Sequence, residues 1–539
     1  MATYLNPGNR GFEKILQSEY VDKTGMITLI NKTIGTMQML TCISRPRRFG
    51  KSYAAKMLCA YYDCSCDSHG LFDGRKVART EGYLTHLNRY HVISLDITGF
   101  ISEAKRQGMP MAGVPGKIVE AIHRELKDAF PKAALGESLM EDMIHCVEET
   151  GREFVFIIDE WDALIREAKG DTEIQSAYLN LLRGWFKNSN FTPKVVAAAY
   201  MTGILPIKKD GSQSAISDFK EYTILDPGRF VEFTGFTESE VRFLCGKYGM
   251  DFEEIRQWYD GYDFPGYGAI YNPYSVMCAM QEHKCRSYWR KTSAAESLMT
   301  YINMDFEGLQ EIVSRLISGE EIEVRTDRFA NDFETFRSRD DVLTLLIHLG
   351  YLTWNEEERV AHVPNEEVRA EFEQILEGTG VNRKWMELLG RSEKLLEDTI
   401  AGNGEAVCRA IEEIRETQYA PTFYNNEQAL RYVIKFAYIA ALDRYLKVEE
   451  LPSGKGIADV VYLPSGKGIA DVVYLPKRKS LLPALVIELK WNQSSGGAIR
   501  QIEEKNYPAV LRDYDGGIVM VGINYDAKEK THSCEIKKV

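Results

Sequence analysis

Residues 45–52 read Arg-Pro-Arg-Arg-Phe-Gly-Lys-Ser, between an apolar run at 38–44 (QMLTCIS) and a helical pattern from about 50 to 63. A buried strand that passes through a basic, glycine-containing turn straight into a helix leaves little choice of architecture. The strand belongs inside a sheet, and the helix presents its unpaired N–H groups at the strand's carboxyl end. Further short apolar runs follow: 91–96 (HVISLD) and 153–159 (EFVFIID), each ending in Asp, and 194–202 (KVVAAAYMT). An amphipathic helical pattern spans 174–189. Short, wholly apolar strands alternating with helices predict a parallel α/β sheet covered on both faces.

The turn carries chemistry. Gly50-Lys51-Ser52 matches the end of the Walker A pattern G-x-x-x-x-G-K-[ST], in the strand–loop–helix context the pattern requires. Gly50 lets the backbone wrap phosphates, Lys51 meets β/γ-phosphate oxygens as a cation, and Ser52 offers a hydroxyl to Mg²⁺. Arg45 stands where the first glycine of the pattern belongs. The expected ATP-binding set is Arg45, Pro46, Arg47, Arg48, Phe49, Gly50, Lys51 and Ser52, joined by Asp159 and Thr202. FVFIIDEWDA (154–163) has the form of a Walker B strand: Asp159 holds Mg²⁺ through water and Glu160 polarises the attacking water. Thr202, at the end of a third strand, is placed to sense a γ-phosphate. ATP and Mg²⁺ are the implied cofactors.

The chain has 539 residues, 44% hydrophobic and 27% charged, which suits a soluble protein of three or four domains and excludes wholesale disorder. Its net charge of −13 (66 basic against 79 acidic residues) excludes a broadly basic nucleic-acid binder, but not a local basic patch. The N-terminus lacks a signal-peptide pattern, and no apolar run reaches the ~18–20 residues of a membrane span. Ten scattered cysteines fit reduced thiols, so the expected location is cytoplasmic with no membrane partner. The lone Cys64-Ser65-Cys66 has no second pair at zinc-finger spacing.

Beyond the first sheet, 237–290 is helical with aromatic loops, and 290–400 is mainly helical. Within the latter, DDVLTLLIHLGYLTW followed by ERVAHVP predicts a helix, a turn and a small hairpin, as in a winged-helix-like module. The character changes at about 400. Helices at 404–418 and 427–445 precede strands at 446–451, 457–463 or 469–475, and 484–491; a helix at 497–511 and a strand at 517–525 follow. The expected domains are therefore 1–235 (P-loop ATPase-like), 236–400 (helical lid and winged-helix-like region) and 401–539. The last contains one exact repeat: LPSGKGIADVVY at 451–462 recurs at 463–474. Two copies of twelve residues make a local duplication, not a solenoid.

ALVIELK places Glu488 and Lys490 two apart on a strand, hence on one face. With an Asp on the preceding strand this is the PD-(D/E)XK nuclease arrangement. Two carboxylates hold Mg²⁺, which activates water and offsets phosphate charge, and the lysine stabilises the developing anion. The duplication offers Asp459 and Asp471. Asp471 is expected to be the ligand, because sixteen residues separate it from Glu488, enough for a strand remainder, a PKRKS turn and a second strand. The extra copy is expected to form a protruding hairpin or to replace the 446–451 strand. Glu427, at the start of its helix, is either a further metal-shell acid or a first-turn glutamate favoured by the helix dipole.

The chain as a whole resembles the bacterial and archaeal AAA-ATPase-like family found with fused nuclease domains. The resemblance rests on FEKI (12–15), YVDKT (20–24), RPRRFGKS (45–52), IIDEWD (157–162), YMTG (200–203), GFTESEV (235–241), WYDGY (258–262) and YNPYSV (271–276). In that family RPRRFGKS is the usual Walker A form. TFYNNEQAL (422–430), GKGIADVVYLP, PALVIELKWN (483–492), AIRQIEEKNY (498–507) and VGINYD (521–526) resemble its RecB-like nuclease half. The resemblance implies a restriction-endonuclease-like α/β domain in which Asp471, Glu488 and Lys490 are catalytic and Gln501, Lys505 and Tyr507 line the DNA side. Residues 207–229 fit loosely, so no arginine finger is assigned.

Two functions remain open at this point. One is an ATP-controlled, metal-dependent DNA nuclease, which suits defence or mobile-element processing. The other is an ATP-dependent signalling switch whose nuclease fold binds DNA without cutting it. Homo-oligomerisation is compatible with both. Residues 401–539 carry 19 basic and 18 acidic residues, so the acidity lies in the first 400 residues. Lys477, Arg478, Lys479, Arg500 and Lys505 are available to a phosphate backbone.

Overall fold

A computed structural model describes residues 3–131, 135–168, 171–207, 216–264, 266–289, 302, 306–327, 329, 336, 338–378, 383–418, 427–441, 445–449, 472–476, 482–504 and 517–539. They fall into two compact units, 1–294 with 323–368, and 295–322 with 369–539.

The first unit is built on five parallel strands: β1 (Leu40–Ser44), β2 (His91–Asp96), β3 (Phe154–Asp159), β4 (Val196–Gly203) and β5 (Lys220–Tyr222), in the order β2-β3-β4-β1-β5. Their apolar runs are continuous because both faces are buried. Along β3, Phe154, Phe156 and Ile158 enter one core while Val155 and Ile157 enter the other. The second core is closed by α1 (Arg10–Leu16), α2 (Gly25–Asn31) and α3 (Lys51–Tyr62). The first is closed by the helices Ile97–Arg106, Val114–Ala129, Leu139–Thr150 and Thr172–Phe186. Local chemistry sets the helix starts. The Asp96 carboxylate caps Ile97–Arg106, accepting from the Thr98 and Gly99 N–H groups. Thr237 and Glu240 form a capping box at Glu238–Tyr248.

Three short antiparallel strands, β6 (Phe236–Thr237), β7 (Tyr262–Phe264) and β8 (Gly268–Tyr271), pair in the order β6-β8-β7 beside three helices. The expected helix–turn–hairpin is present as Arg339–Leu349 followed by Thr353–Asn355 paired with Val360–His362. It belongs to the same unit as the parallel sheet. Gly350 ends the helix at φ 83°, and a Cβ there would lie 2.7 Å from Pro46 Cβ, so the hairpin's helix backs directly onto the turn after β1.

In the second unit a mixed sheet orders Tyr445–Glu449, Val472–Pro476, Ala484–Trp491, Ile518–Asp526 and Thr531–Lys538. The 484–491 and 518–526 strands are parallel and joined through the helix Ser495–Glu504; the other pairings are antiparallel. The helix Gly404–Gln418 keeps its expected bounds. Tyr445–Glu449 pairs with Val472–Pro476, so the duplicate copy does not replace the strand expected at 446–451. That alternative is corrected: the inner strand is the VVYLP of the second copy, and the edge strand forms from its own YLKVE alternation. The first copy lies outside the described residues. No helix among the described residues is long and apolar enough to cross a membrane.

Candidate functional site

The strand order places β4 between β1 and β3, so the turn after β1 and the acidic end of β3 meet across the end of β4. Crevices at the carboxyl ends of parallel strands, where the order reverses, are where ligands bind in open α/β sheets. A cavity of about 440 Å³ lies here. Arg47, Arg48, Phe49, Gly50, Lys51, Ser52 and Glu160 line one side of it. Tyr20, Phe233, Phe236, Tyr274, Met57 and Met277 also line it, giving an apolar and aromatic surface beside the basic turn.

Gly50 caps α3 at φ 83°, a left-handed conformation that favours glycine and lets the turn pass into the helix. Lys51 is buried, and its ammonium donates to the carbonyl oxygens of Arg45 (2.9 Å) and Pro46 (2.8 Å). Burial lowers its pKa, opposed by the nearby charges of Glu160, Asp159 and Asp162. The Ser52 side of the turn is exposed. Arg48 reaches across: its guanidinium lies 4.4 Å from the Tyr274 ring centroid and donates to the Tyr288 carbonyl at 2.5 Å.

Arg45 corrects the expectation that all eight turn residues face phosphate. Its side chain is 1% exposed and points away from the cavity. It donates from Nε to Thr234 Oγ1 (3.1 Å) and from one terminal nitrogen to the carbonyls of Ser44 and Tyr222 (3.1 Å each). Burial pulls its pKa down to about 10. The residue in the place of the first Walker glycine is therefore a buried tie between strands, and Pro46 likewise contributes backbone and a packing surface.

At the end of β3, Asp159 accepts a short hydrogen bond from the Thr202 hydroxyl, which in turn receives the Glu160 N–H at 3.3 Å. Thr202 is fully buried and does not line the cavity, so it acts on the site through Asp159 and Glu160. Glu160 has φ 53°, a conformation non-glycine residues adopt sparingly and one often kept at functional sites. Burial raises its pKa, countered first by Lys51.

Two residues without a role in the sequence reading complete the network. The Arg166 guanidinium donates to Glu160 Oε2 (2.5 Å) and to Asp162 Oδ2 (3.0 Å). Asp162 is 1% exposed and also accepts the N–H groups of Ile204 (3.3 Å) and Leu205 (3.0 Å) just beyond β4. Burial works against the Arg166 charge, but Asp162 and Glu160 outweigh it and raise its pKa. The available signal was the acid–Arg spacing of four in DALIR, which sets the pair on one helix face. The cavity's aromatic wall was present only as unexplained pieces of YVDKT, GFTESEV and YNPYSV.

In the second unit, Glu488 is 1% exposed on the central strand, and the Lys490 ammonium donates to its Oε1 at 3.2 Å. Val472 pairs with Ile487, the residue just before Glu488. Asp471, just before Val472, lies outside the described residues, as do Asp459, Lys505 and Tyr507. Gln501 is half-buried on Ser495–Glu504, and Glu427 is the first residue of Glu427–Ala437. Ser52 and Asp159 are oxygen donors of the kind Mg²⁺ takes. No group of three His, Cys, Asp or Glu placed to hold a metal occurs among the described residues. A nucleotide-bound Mg²⁺ needs only one or two protein oxygens.

Residues 8–212 match the family model described as "Predicted AAA-ATPase". The chain is 26% identical over 391 residues to an uncharacterised protein of the vnfD 5′ region of Azotobacter chroococcum mcd 1, covering 68% of this chain and 69% of that one. Among solved structures it is similar to the Aeropyrum pernix ORC2 protein, solved as ADPNP–ADP complexes (9% identity, 70% of this chain, 99% of that one, TM-score 0.31). It is also similar to Cdc6p from Pyrobaculum aerophilum (11% identity, 66% and 92%, TM-score 0.22). At such TM-scores neither likeness bears on the fold or the site. The matched residues 8–212 contain four of the five strands of the parallel sheet, β1 to β4.

Proposed function

We propose that the first unit binds ATP with Mg²⁺ in the 440 Å³ cavity and hydrolyses it, and that the second unit is a metal-dependent DNA nuclease of the PD-(D/E)XK type under ATP control. The observation that carries the first part is that Lys51 and Ser52, at the start of α3, and Glu160, just beyond β3, line one cavity with an aromatic wall. The aromatic side chains accept a nucleobase, and the turn with the α3 N-terminus accepts phosphates. On phosphate binding, the Lys51 ammonium exchanges two loop carbonyls for phosphate oxygens. Glu160 takes a proton from the water that attacks the γ-phosphorus as the bond to the β-phosphate oxygen breaks. Ser52 and Asp159 would hold Mg²⁺, which neutralises phosphate charge when bound.

The nuclease reading is supported by a buried Glu488 paired with Lys490 on the central strand of a mixed sheet, a costly placement for charge in an apolar run unless ligand binding compensates. The test combines ATP turnover with Mg²⁺- or Mn²⁺-dependent degradation of plasmid and single-stranded DNA, with and without ATP. Lys51→Ala must abolish turnover. Glu488→Ala and Asp471→Ala must abolish cleavage while Asp459→Ala retains it. DNA binding without cleavage in every nucleotide state would identify the switch instead. Assembly into oligomers belongs to the same proposal and is read from light scattering with nucleotide.

A further inference from the structure

Glu160, Arg166, Asp162 and the start of the chain beyond β4 form one continuous set of contacts. Arg166 meets Glu160 through a terminal nitrogen and Asp162 through Nε, so one rigid, planar group holds both carboxylates. Asp162 is fixed in turn by two backbone N–H groups at 204 and 205, and Trp161 N–H donates to the Thr202 carbonyl at 2.8 Å. The Arg166 side chain is 11% exposed and Asp162 1%, so water does not substitute for either partner. Glu160, by contrast, lines the cavity and stands on strained backbone. A carboxylate on such a segment has several rotamers open to it unless something outside the cavity holds it.

We propose that Arg166 is the positioning residue of the hydrolytic step: anchored on Asp162, it holds one oxygen of Glu160 and leaves the other for the attacking water. The inference rests on reading the cavity as the ATP site. It assigns Arg166 no contact with nucleotide and no proton transfer. Its effect passes wholly through Glu160, so removing it costs turnover and spares binding, and costs little once Glu160 is gone.

The experiment uses the full chain, N-methylanthraniloyl-ATP as binding probe and ATP turnover as readout, for wild type, Arg166→Ala, Arg166→Lys, Glu160→Gln and the Arg166→Ala/Glu160→Gln pair. Arg166→Ala is expected to keep probe affinity and KM within about threefold while kcat falls on the order of 10–100-fold. In the Glu160→Gln background the same change is expected to cost less than about twofold. Arg166→Lys is expected to restore kcat only in part, since one ammonium does not span both carboxylates. An unchanged kcat, a loss carried by KM, or an equal loss in both backgrounds would overturn the proposal. If Arg166→Ala unfolds because Asp162 is left buried and unpaired, the Asp162→Asn/Arg166→Met pair removes both charges and the same kcat and KM criteria apply. Wild type that neither binds the probe nor turns over ATP would defeat the nucleotide reading itself. Normal wild-type turnover with an indifferent Arg166 defeats only the positioning role.

Discussion

Asp159 and Glu160 leave the carboxyl end of a parallel strand, whereas Glu488 and Lys490 stand within the Ala484–Trp491 strand of a mixed sheet. At the strand end the backbone is released from the ladder. Each carboxylate there is held by groups from elsewhere: Thr202 for Asp159, Arg166 for Glu160, amides 204 and 205 for Asp162. On the strand face the pleat sets Glu488 and Lys490 side by side, and the Lys490 ammonium reaches Glu488 at 3.2 Å. A strand-end site is therefore adjustable by distant changes, while a strand-face site depends on register, where a one-residue slip turns both charges to the other face.

The comparison can be broken most decisively by chemistry. Glu160→Gln should lower ATP turnover by about 10²–10⁴-fold, the usual worth of a general base, with cleavage in the absence of ATP retained. Glu488→Gln should remove metal-dependent cleavage with ATP turnover retained. Equal loss of both activities in either variant would mean that the two carboxylate sites are not separable. Gly350→Ala comes next, because the strand-end site leans on packing remote in sequence. A left-handed alanine whose Cβ overlaps Pro46 should cost about 2–4 kcal/mol in denaturant unfolding and raise KM for ATP. An unaffected KM would show that the turn does not need its backing.

A pH dependence, small in any one pH unit, follows. Burial, and then Arg45, hold the His348 pKa down at about 3 against an ordinary 6.5. Between those values the unfolded chain binds a proton that the folded chain refuses. Stability is thus full above about pH 6.5 and falls as pH drops toward 3, by at most about 1.4 kcal/mol per unit. His348→Leu should flatten that part of the stability–pH curve; parallel curves would remove His348 as a cause. The smallest change expected is Thr237→Ala, which deletes a capping box and should cost about 1 kcal/mol in thermal unfolding with kcat unmoved.

Much of the strand-end site was legible because parallel strands advertise themselves. LTCIS, HVISLD and FVFIID are mostly apolar, and the glycine–lysine–serine turn and the Asp-Glu pair stand at the ends of the first and third. Strand order was not legible, since runs equally apolar on both faces do not say which neighbours they take. The interposition of β4, which explains how Thr202 reaches Asp159, follows only from the fold. β5 is three residues long, and Thr531–Lys538 is exposed at most alternate positions, too weak a pattern to announce a strand. Arg45 misled because a cation in a phosphate turn reads as a phosphate ligand; burial among carbonyls and a threonine hydroxyl is invisible in one dimension. Arg166 was missed for the converse reason, as an acid–arginine pair on a short helix usually signifies no more than a solvated face.

The seat of Pro46 against Gly350 has a practical side. A fragment drawn around the family match, 8–212, would keep Lys51, Ser52, Asp159 and Glu160 and discard both the helix that supports the turn from behind and the Phe236–Tyr274 wall of the cavity. Such a fragment carries every residue a motif search would ask for and lacks the scaffolding that gives those residues a shape. The boundary for expression, crystallisation or domain grafting lies beyond residue 362, where the small hairpin ends.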